Sequence, residues 1–503
     1  MTESNPKDAA AVILLQESTD PTDPEVFWVR RSEKLSFLGG FHAFPGGKMD
    51  PPDTQVEVAN CNDAETAAAI SCAARELFEE VGVLLARGVE TLTKGQRASV
   101  LDDLDSGRMS WPALLGHYGF YLDADDFTYV GRWVTPPFSA KRFDTWFFLA
   151  HCPTKQEPSV TTDGELESGE WISARAAFAR WQGSEVLAVP PVLHALQTLS
   201  AGLTGDLVSR FLATPNAHRE PTRRIEFRPN YICFPVRTPT RPPATHTNCY
   251  LIYTSSEILV IDPGSPYEEE QQALAECISE LIAEGRTVRE IILTHLHPDH
   301  VGGVNALRNF LAGNVTVAAH QNTAEILGGE IPVNRLIVDD ELITLQGSPT
   351  IALRAMHTPG HARGHLCFYE ERTGTLITGD NIVGLGSVLI DPPEGHMHDY
   401  LNSLRRMRAL PNLSVLFGGH GPAMANPQAK LDEYITHRLD RESKILAAVQ
   451  SGCATPAAIV ANVYTDVSPK AHAMAERAVL AHLEKLESEG LVSTTPDGTY
   501  RPI

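Results

Sequence analysis

The chain has no run of about 18 consecutive apolar residues, so no membrane-spanning helix is expected. It opens MTESNPKDAA, with neither a basic stretch nor an apolar core behind it, so this end does not read as a secretory leader. Its eight cysteines are scattered singly, with no CxxC pair. That excludes a dense disulfide framework and predicts reduced thiols and a cytoplasmic protein. Positive charge is scarce: 41 Lys and Arg stand against 63 Asp and Glu, a net charge of −22. Such a field repels nucleic-acid backbones at long range, so a nucleic-acid partner is not expected. A small anionic substrate remains compatible, because a local basic pocket or a bound metal can outweigh the global field. There is no internal repeat and no low-complexity run.

At 503 residues the chain is too long for one core, and about three domains are expected. Ala9–Gln16 (AAAVILLQ) is a nearly continuous apolar run and reads as a buried strand. Ala64–Leu85 has helical spacing that ends near Gly82, Thr145–Leu149 reads as a strand, and a helical segment lies near Pro191–Thr204. From Ala213 to Pro243 the chain is rich in Pro, Arg and Thr without clear periodicity, which predicts a domain boundary. Cys249–Tyr253 and Glu257–Ile261 read as a hairpin turning at Ser255–Ser256. Strands and helices then alternate to Met424, and beyond Asn426 the pattern becomes helical. It closes with Ala475–Gly490 and a short Leu491–Tyr500 segment holding a Pro-Asp-Gly turn.

The densest chemical signal is Thr294-His295-Leu296-His297-Pro298-Asp299-His300, directly after the apolar Ile291–Leu293. Three imidazoles and a carboxylate so close together at a strand end suit a borderline-soft divalent metal such as zinc. Downstream come His361 in Thr-Pro-Gly-His, Asp380 in Thr-Gly-Asp and His420 in Gly-Gly-His-Gly, with Asp262 in Ile-Asp-Pro-Gly upstream. In this order the set resembles the metallo-β-lactamase superfamily over roughly residues 225–425. The resemblance implies that His295, His297 and His361 hold one zinc ion and that Asp299, His300 and His420 hold a second. Asp380 would bridge the two, Asp262 would lie behind the ligands, and Asp299 would also orient the attacking hydroxide. A hydrolase follows, with water activated between two metals. Within the superfamily the motifs resemble a subgroup of lactamase-like endoribonucleases and acyl-carrier thioesterases. Ala362 departs from that pattern by replacing a common Thr. His365, by the resemblance to glyoxalase-II-like enzymes, is a second-shell or substrate residue. His396 and His398 read as loop residues.

In the N-terminal half, Arg75-Glu76-Leu77-Phe78-Glu79-Glu80-Val81-Gly82 puts Glu76, Glu79 and Glu80 on one face of a helix. Crowded carboxylates of this kind suit a hard cation, Mg2+ or Mn2+. With Gly47 in the preceding Phe-Pro-Gly-Gly, the run resembles a Nudix box over residues 9–205. It departs in two ways: Asp53 replaces the usual Glu, and 21 residues separate it from Arg75 where the box has seven, an insertion spanning roughly Pro51–Thr66. The stretches Arg31–Leu35 and Arg142–Phe148 resemble the coenzyme A diphosphatase-like branch, which carries a similar insertion. That resemblance implies catalysis by Glu79 and Glu80 with metal on Glu76, Glu79 and Glu80. Arg75 would hold the helix by pairing with a carboxylate, and Glu165 or Glu170 would assist.

The expected fold class is an α+β multidomain protein: a Nudix α/β/α sandwich over residues 1–210, a metallo-β-lactamase αββα sandwich over 211–428, and a winged-helix-like tail over 429–503. From Lys430 to Ile503 there are 8 Lys and Arg against 10 Asp and Glu, a poor phosphate-backbone surface, so the tail is read as a packing, lid or dimerisation element. The expected function is metal-dependent hydrolysis of an ester, thioester or phosphoester at the zinc site. The Nudix site would cleave a diphosphate-linked metabolite such as coenzyme A. The alternative is a metal-dependent endoribonuclease with a non-catalytic, nucleotide-binding Nudix module. A small-molecule substrate is the expected partner, with a homodimer possible.

Overall fold

The computed structural model describes residues 5–16, 20–35, 37–90, 92–139, 141–160, 164–214, 221–465 and 468–503. Residues 1–4 of the N-terminal stretch and 215–220 of the boundary segment lie outside the described residues. The chain divides into two compact units, Met1–Ile232 and Cys233–Ile503.

The first unit is built on the strand Lys7–Leu15, which pairs in parallel with Phe143–His151 and antiparallel with Glu25–Arg31 and Gly46–Lys48. Side chains of a strand alternate between faces, so an apolar strand buries both. Ala10, Val12 and Leu14 meet Ala73, Leu77 and Phe78 of the helix Ala64–Val81 on one side. Ala11, Ile13 and Leu15 meet Ala177, Trp181 and Leu196 of the helices Ala174–Gln182 and Pro190–Ser200 on the other. The result is a sheet with helices on both faces. The helix Ala64–Val81 starts where the Asp63 carboxylate accepts from the Thr66 N–H at 2.7 Å and stops at Gly82, in the left-handed region at φ 69°. The insertion that precedes it folds into a 3-10 turn, Pro51–Gln55, and a short strand, Val58–Ala59.

In the second unit, one sheet runs in the order Tyr231–Arg237, His246–Tyr253, Glu257–Ile261, Thr287–Ile292, Thr316–Ala319, Arg335–Leu336. A second sheet runs Leu342–Leu345, Ile351–His357, Leu366–Glu370, Thr375–Gly379, Val415–Gly418. Two strands, Ile225–Arg228 and Tyr231–Arg237, lie within Ala213–Pro243, where the sequence shows no clear periodicity. Tyr231–Val236 is buried on both faces, so it shows no alternation, and Pro235 within it argues against a strand in the sequence. The loops after Ile261, Ile292, His357, Gly379 and Gly418 carry Asp262, the His295–His300 run, His361, Asp380 and His420. All these residues therefore leave from C-terminal strand ends.

Gly360 shows how tightly one of these loops is held. Its φ is 133°, and a Cβ there would fall on the backbone of Tyr400 in the helix Met397–Arg408. We expect Gly360→Ala to cost about 1–3 kcal/mol from overpacking and backbone strain. A lowered urea midpoint with unchanged slope would register it.

The C-terminal segment comprises the helices Pro427–Gln450, Pro456–Val463 and His472–Ser488 and the hairpin Val492–Thr494/Tyr500–Pro502. The first helix serves two cores: Leu431 and Tyr434 pack with Tyr400 and Leu416, whereas Ile445 and Val449 pack with Val479 and Leu483. Between its helices Glu442 is buried, accepting from Lys485 Nζ at 2.7 Å and from His482 Nδ1 at 3.2 Å. Burial pushes the Glu442 carboxyl up, but these two bonds outweigh it and leave it below its ordinary value. Burial holds His482 below its ordinary value against the Glu442 bond. Both groups bind protons more readily once unfolded, so stability falls as pH drops below about 6.5 and further below about 4.5. His482→Gln is expected to flatten the fall in melting temperature between pH 7 and pH 5. An unchanged slope would count against this assignment.

Candidate functional site

Four histidines of the second unit have one ring nitrogen committed to the protein. Thr294 Oγ1 gives its single proton to Asp262 Oδ2 at 2.6 Å, so toward His295 Nδ1, 2.9 Å away, it can only accept. His300 Nδ1 donates to Asp262 Oδ2 at 2.8 Å, His361 Nδ1 to the Leu389 carbonyl at 2.9 Å, and His420 Nδ1 to the His246 carbonyl at 2.8 Å. In the neutral form each of these rings is left with a bare Nε2, and all four point into one cluster. His295 Nε2 and His361 Nε2 lie 2.9 and 3.0 Å from the same atom, His297 Nδ1. One N–H cannot satisfy both lone pairs. His300 Nε2 and Asp380 Oδ1 are buried without a hydrogen-bond partner, 3.3 Å apart. Asp380 Oδ2 lies 3.3 Å from His420 Nε2 and 3.8 Å from His361 Nε2, and Asp299 Oδ2 lies 3.5 Å from His420 Nε2.

A buried set of converging lone pairs and carboxylates is costly unless positive charge, from protons or a metal cation, sits among them. Two triads, His295/His297/His361 and Asp299/His300/His420, each gather their donor atoms within 4.8 Å. The donor set fits divalent metal with nitrogen and oxygen ligands. The electrostatics agree. Burial presses His295 well below its ordinary value and His297 down to about 3. Against burial, Asp380 holds both His300 and His420 up, and these two imidazoles hold Asp380 well below the carboxylate range.

Asp262 adopts φ 52°, a left-handed conformation that Asp tolerates, and its carboxylate accepts from Thr294 N at 2.8 Å as well as from Thr294 Oγ1 and His300. It holds His300 directly and, through Thr294, His295. His365 is fully buried: its Nδ1 faces Thr358 Oγ1 at 3.1 Å and its Nε2 accepts from the Asp380 backbone N–H at 3.2 Å. It is buried against the turn that carries Asp380. Two hydroxyls escaped the sequence reading. Thr294 orients His295, and Thr240 lies 3.4 Å from His420 Nε2 and bonds to Asp299. Thr240 sits in the Pro- and Thr-rich stretch with no distinguishing pattern, so nothing in the sequence singled it out.

In the first unit Arg75 is the hub. Its Nε and Nη2 donate to the two oxygens of the fully buried Asp53 at 2.9 and 2.8 Å, and Nη2 also donates to the Lys48 carbonyl at 3.0 Å. Its Nη1 lies 2.8 Å from Glu76 and 2.7 Å from Glu79. Glu80 accepts from the Gly46 N–H at 2.9 Å. A Cβ on Gly47 would fall on the Glu76 carboxylate. Burial pushes Glu76 up to about 7 and Glu80 up to about 8, and raises Glu79 despite Arg75. The three glutamates share a helix face, but among the described residues their oxygens do not gather into a ligand triad as the histidines do. Glu76 and Glu80 line a cavity of 430 Å³ together with Arg31, Lys48, Lys141 and Glu165. Phe37, Phe143 and Phe147 form part of its wall. Glu170 lies elsewhere, bonded to Trp28 Nε1 at 3.2 Å and to Arg180 at 2.6 Å.

Three family models match the chain: the NUDIX domain over residues 5–108, the metallo-beta-lactamase superfamily over 242–420 and the beta-lactamase associated winged helix domain over 455–500. Among curated relatives, the Beta-lactamase-like protein 2 homolog of Caenorhabditis elegans is 29% identical over 259 residues, covering 51% of this chain and 84% of that protein. An atrochrysone carboxyl ACP thioesterase of Aspergillus fumigatus is 30% identical over 210 residues, covering 41% and 60%. Thioesterase pkgB of Emericella nidulans is 34% identical over 201 residues, covering 40% and 53%. The chain thus spans less than two thirds of either fungal relative. No disulfide joins any of the eight cysteines, and no helix among the described residues is long and apolar enough to cross a membrane. The three matches and the site geometry identify the chain as a mixed α/β multidomain protein that joins a Nudix domain to a metallo-β-lactamase-fold hydrolase domain and its associated winged helix.

Proposed function

We propose that the histidine site hydrolyses a thioester of coenzyme A or of an acyl carrier, and that the Nudix site cleaves the diphosphate of coenzyme A. The observation that carries the first half is the convergence of four bare imidazole nitrogens, those of His295 and His361 on His297 and those of His300, His361 and His420 on Asp380. Two relatives named as thioesterases support the choice of bond. His295, His297 and His361 would hold one zinc ion and Asp299, His300 and His420 a second, with Asp380 between them. Ions so held supply Lewis acidity and a water of lowered pKa. Asp262, Leu389 and His246 keep the ligand rings in one tautomer and one orientation. Asp299 is kept ionised by His300 against its burial and can accept a hydrogen from the attacking water.

For the second half, Glu76, Glu79 and Glu80 would hold Mg2+ or Mn2+. Arg31, Lys48 and Lys141 give the adjoining cavity cationic groups for phosphates, and Phe37, Phe143 and Phe147 give it an apolar wall. A ligand that is anionic at one end and apolar at the other fits both features. Fusion of the two sites would raise the local concentration of a shared metabolite.

The test is thiol release from acetyl-coenzyme A by the metal-replete chain. Release that stops with a chelator and returns with zinc is the expected result. Absence of thiol release, with chelator-sensitive shortening of single-stranded RNA in its place, would reassign the site to phosphodiesters.

A further inference from the structure

His396, His398 and Asp399 lie outside the histidine cluster described above, at the start of the helix Met397–Arg408. Their donor atoms fall within 4.8 Å of one another. His396 Nδ1 is 2.9 Å from one oxygen of Asp399, and His398 Nδ1 is 3.6 Å from the other. His396 Nδ1 is buried although its ring is half-exposed, and it makes no hydrogen bond: the approach to Asp399 is close but misaligned. Two ligands of a tetrahedral zinc ion stand about 3.4 Å apart, given metal–ligand distances of about 2.1 Å. The observed spacings bracket that value.

We propose that His396, His398 and Asp399 bind a further divalent transition metal ion, zinc by the nitrogen and oxygen donor types, at the seam between the catalytic domain and the winged helix. The three residues offer two imidazoles and one carboxylate, with one position left for water. The site is placed to matter. The His396 N–H donates to the Gly360 carbonyl at 2.8 Å, next to His361. Arg477 of the winged helix already pairs with Asp391 in the same loop at 2.5 Å. An ion here ties the loop Asp391–His396 from both sides and couples the stability of the winged helix to metal.

The experiment is zinc stoichiometry by equilibrium dialysis and elemental analysis on the full chain, comparing wild type with His398→Ala and Asp399→Asn. His398 is half-exposed, and its polar contacts are to Asp399 and Asn402, so its loss leaves the fold intact. Each variant is expected to bind one zinc equivalent fewer per chain than wild type and to keep wild-type hydrolysis. The same one-equivalent difference is expected when the comparison is repeated on a His295→Ala/His297→Ala background, which separates this site from the main centre whatever its reaction. Equal stoichiometry in wild type and His398→Ala, or an Asp399→Asn variant that binds as wild type does, overturns the proposal.

Discussion

His361→Ala is expected to lower hydrolysis at the histidine site by at least about a thousandfold, about 4 kcal/mol of transition-state stabilisation, and to lower bound metal in parallel. The substitution removes one of the nitrogens that meet at His297 Nδ1 and the one that lies 3.8 Å from Asp380. It leaves the Leu389 carbonyl without its partner, which costs about 1–3 kcal/mol of stability. The loss of activity therefore exceeds what local destabilisation can produce, and a melting curve recorded beside the assay separates the two. Nudix turnover in the same variant is expected to be unchanged. A variant that keeps both its metal and its activity would remove His361 from the site.

Asp53→Ala is expected to destabilise the first unit by about 3–5 kcal/mol, because it leaves the Arg75 guanidinium buried without its bidentate partner. The same change frees the Asp50 N–H, which donates to Asp53 at 2.8 Å. Replacing both charges, as Asp53→Ala with Arg75→Met, is expected to recover part of that loss, since no buried guanidinium then faces the vacated Asp53 position, although Glu76 and Glu79 lose their Arg75 partner. The measurement is a double-mutant cycle in urea with the unfolding of the first unit followed. Additive losses would mean that the two side chains do not act as a pair.

The second case also shows what the sequence could and could not reveal. Asp53 looked like a defect: a shorter acid, and too far along the chain from Arg75. In space it meets Arg75 with both oxygens, because the inserted residues fold into a turn and a short strand that bring the chain back to the helix start at Asp63. Sequence spacing measures chain length, and a compact insertion hides the return. The histidine residues were legible for the opposite reason. His295, His297, Asp299 and His300 are neighbours along the chain, and His361, Asp380 and His420 carry their own short glycine-rich signatures at strand ends. The strand at Ala9–Gln16 was legible as a nearly continuous apolar run, and that at Glu257–Ile261 as one arm of a hairpin. Tyr231–Arg237 was not, because Pro235 interrupts it and polar residues crowd its flanks. The buried supports Thr240, Leu389 and His246 act through a hydroxyl or a backbone carbonyl that any sequence carries, so only the fold brings them to notice.

The most direct test of the whole account is a product analysis. The chain loaded with zinc and magnesium is incubated with acetyl-coenzyme A, alongside His295→Ala and Glu79→Gln, and the products are resolved by mass spectrometry. The account predicts free coenzyme A that is lost only in His295→Ala, and 3′,5′-ADP that is lost only in Glu79→Gln. Neither product from the wild-type chain, or one product abolished equally by both variants, would contradict it.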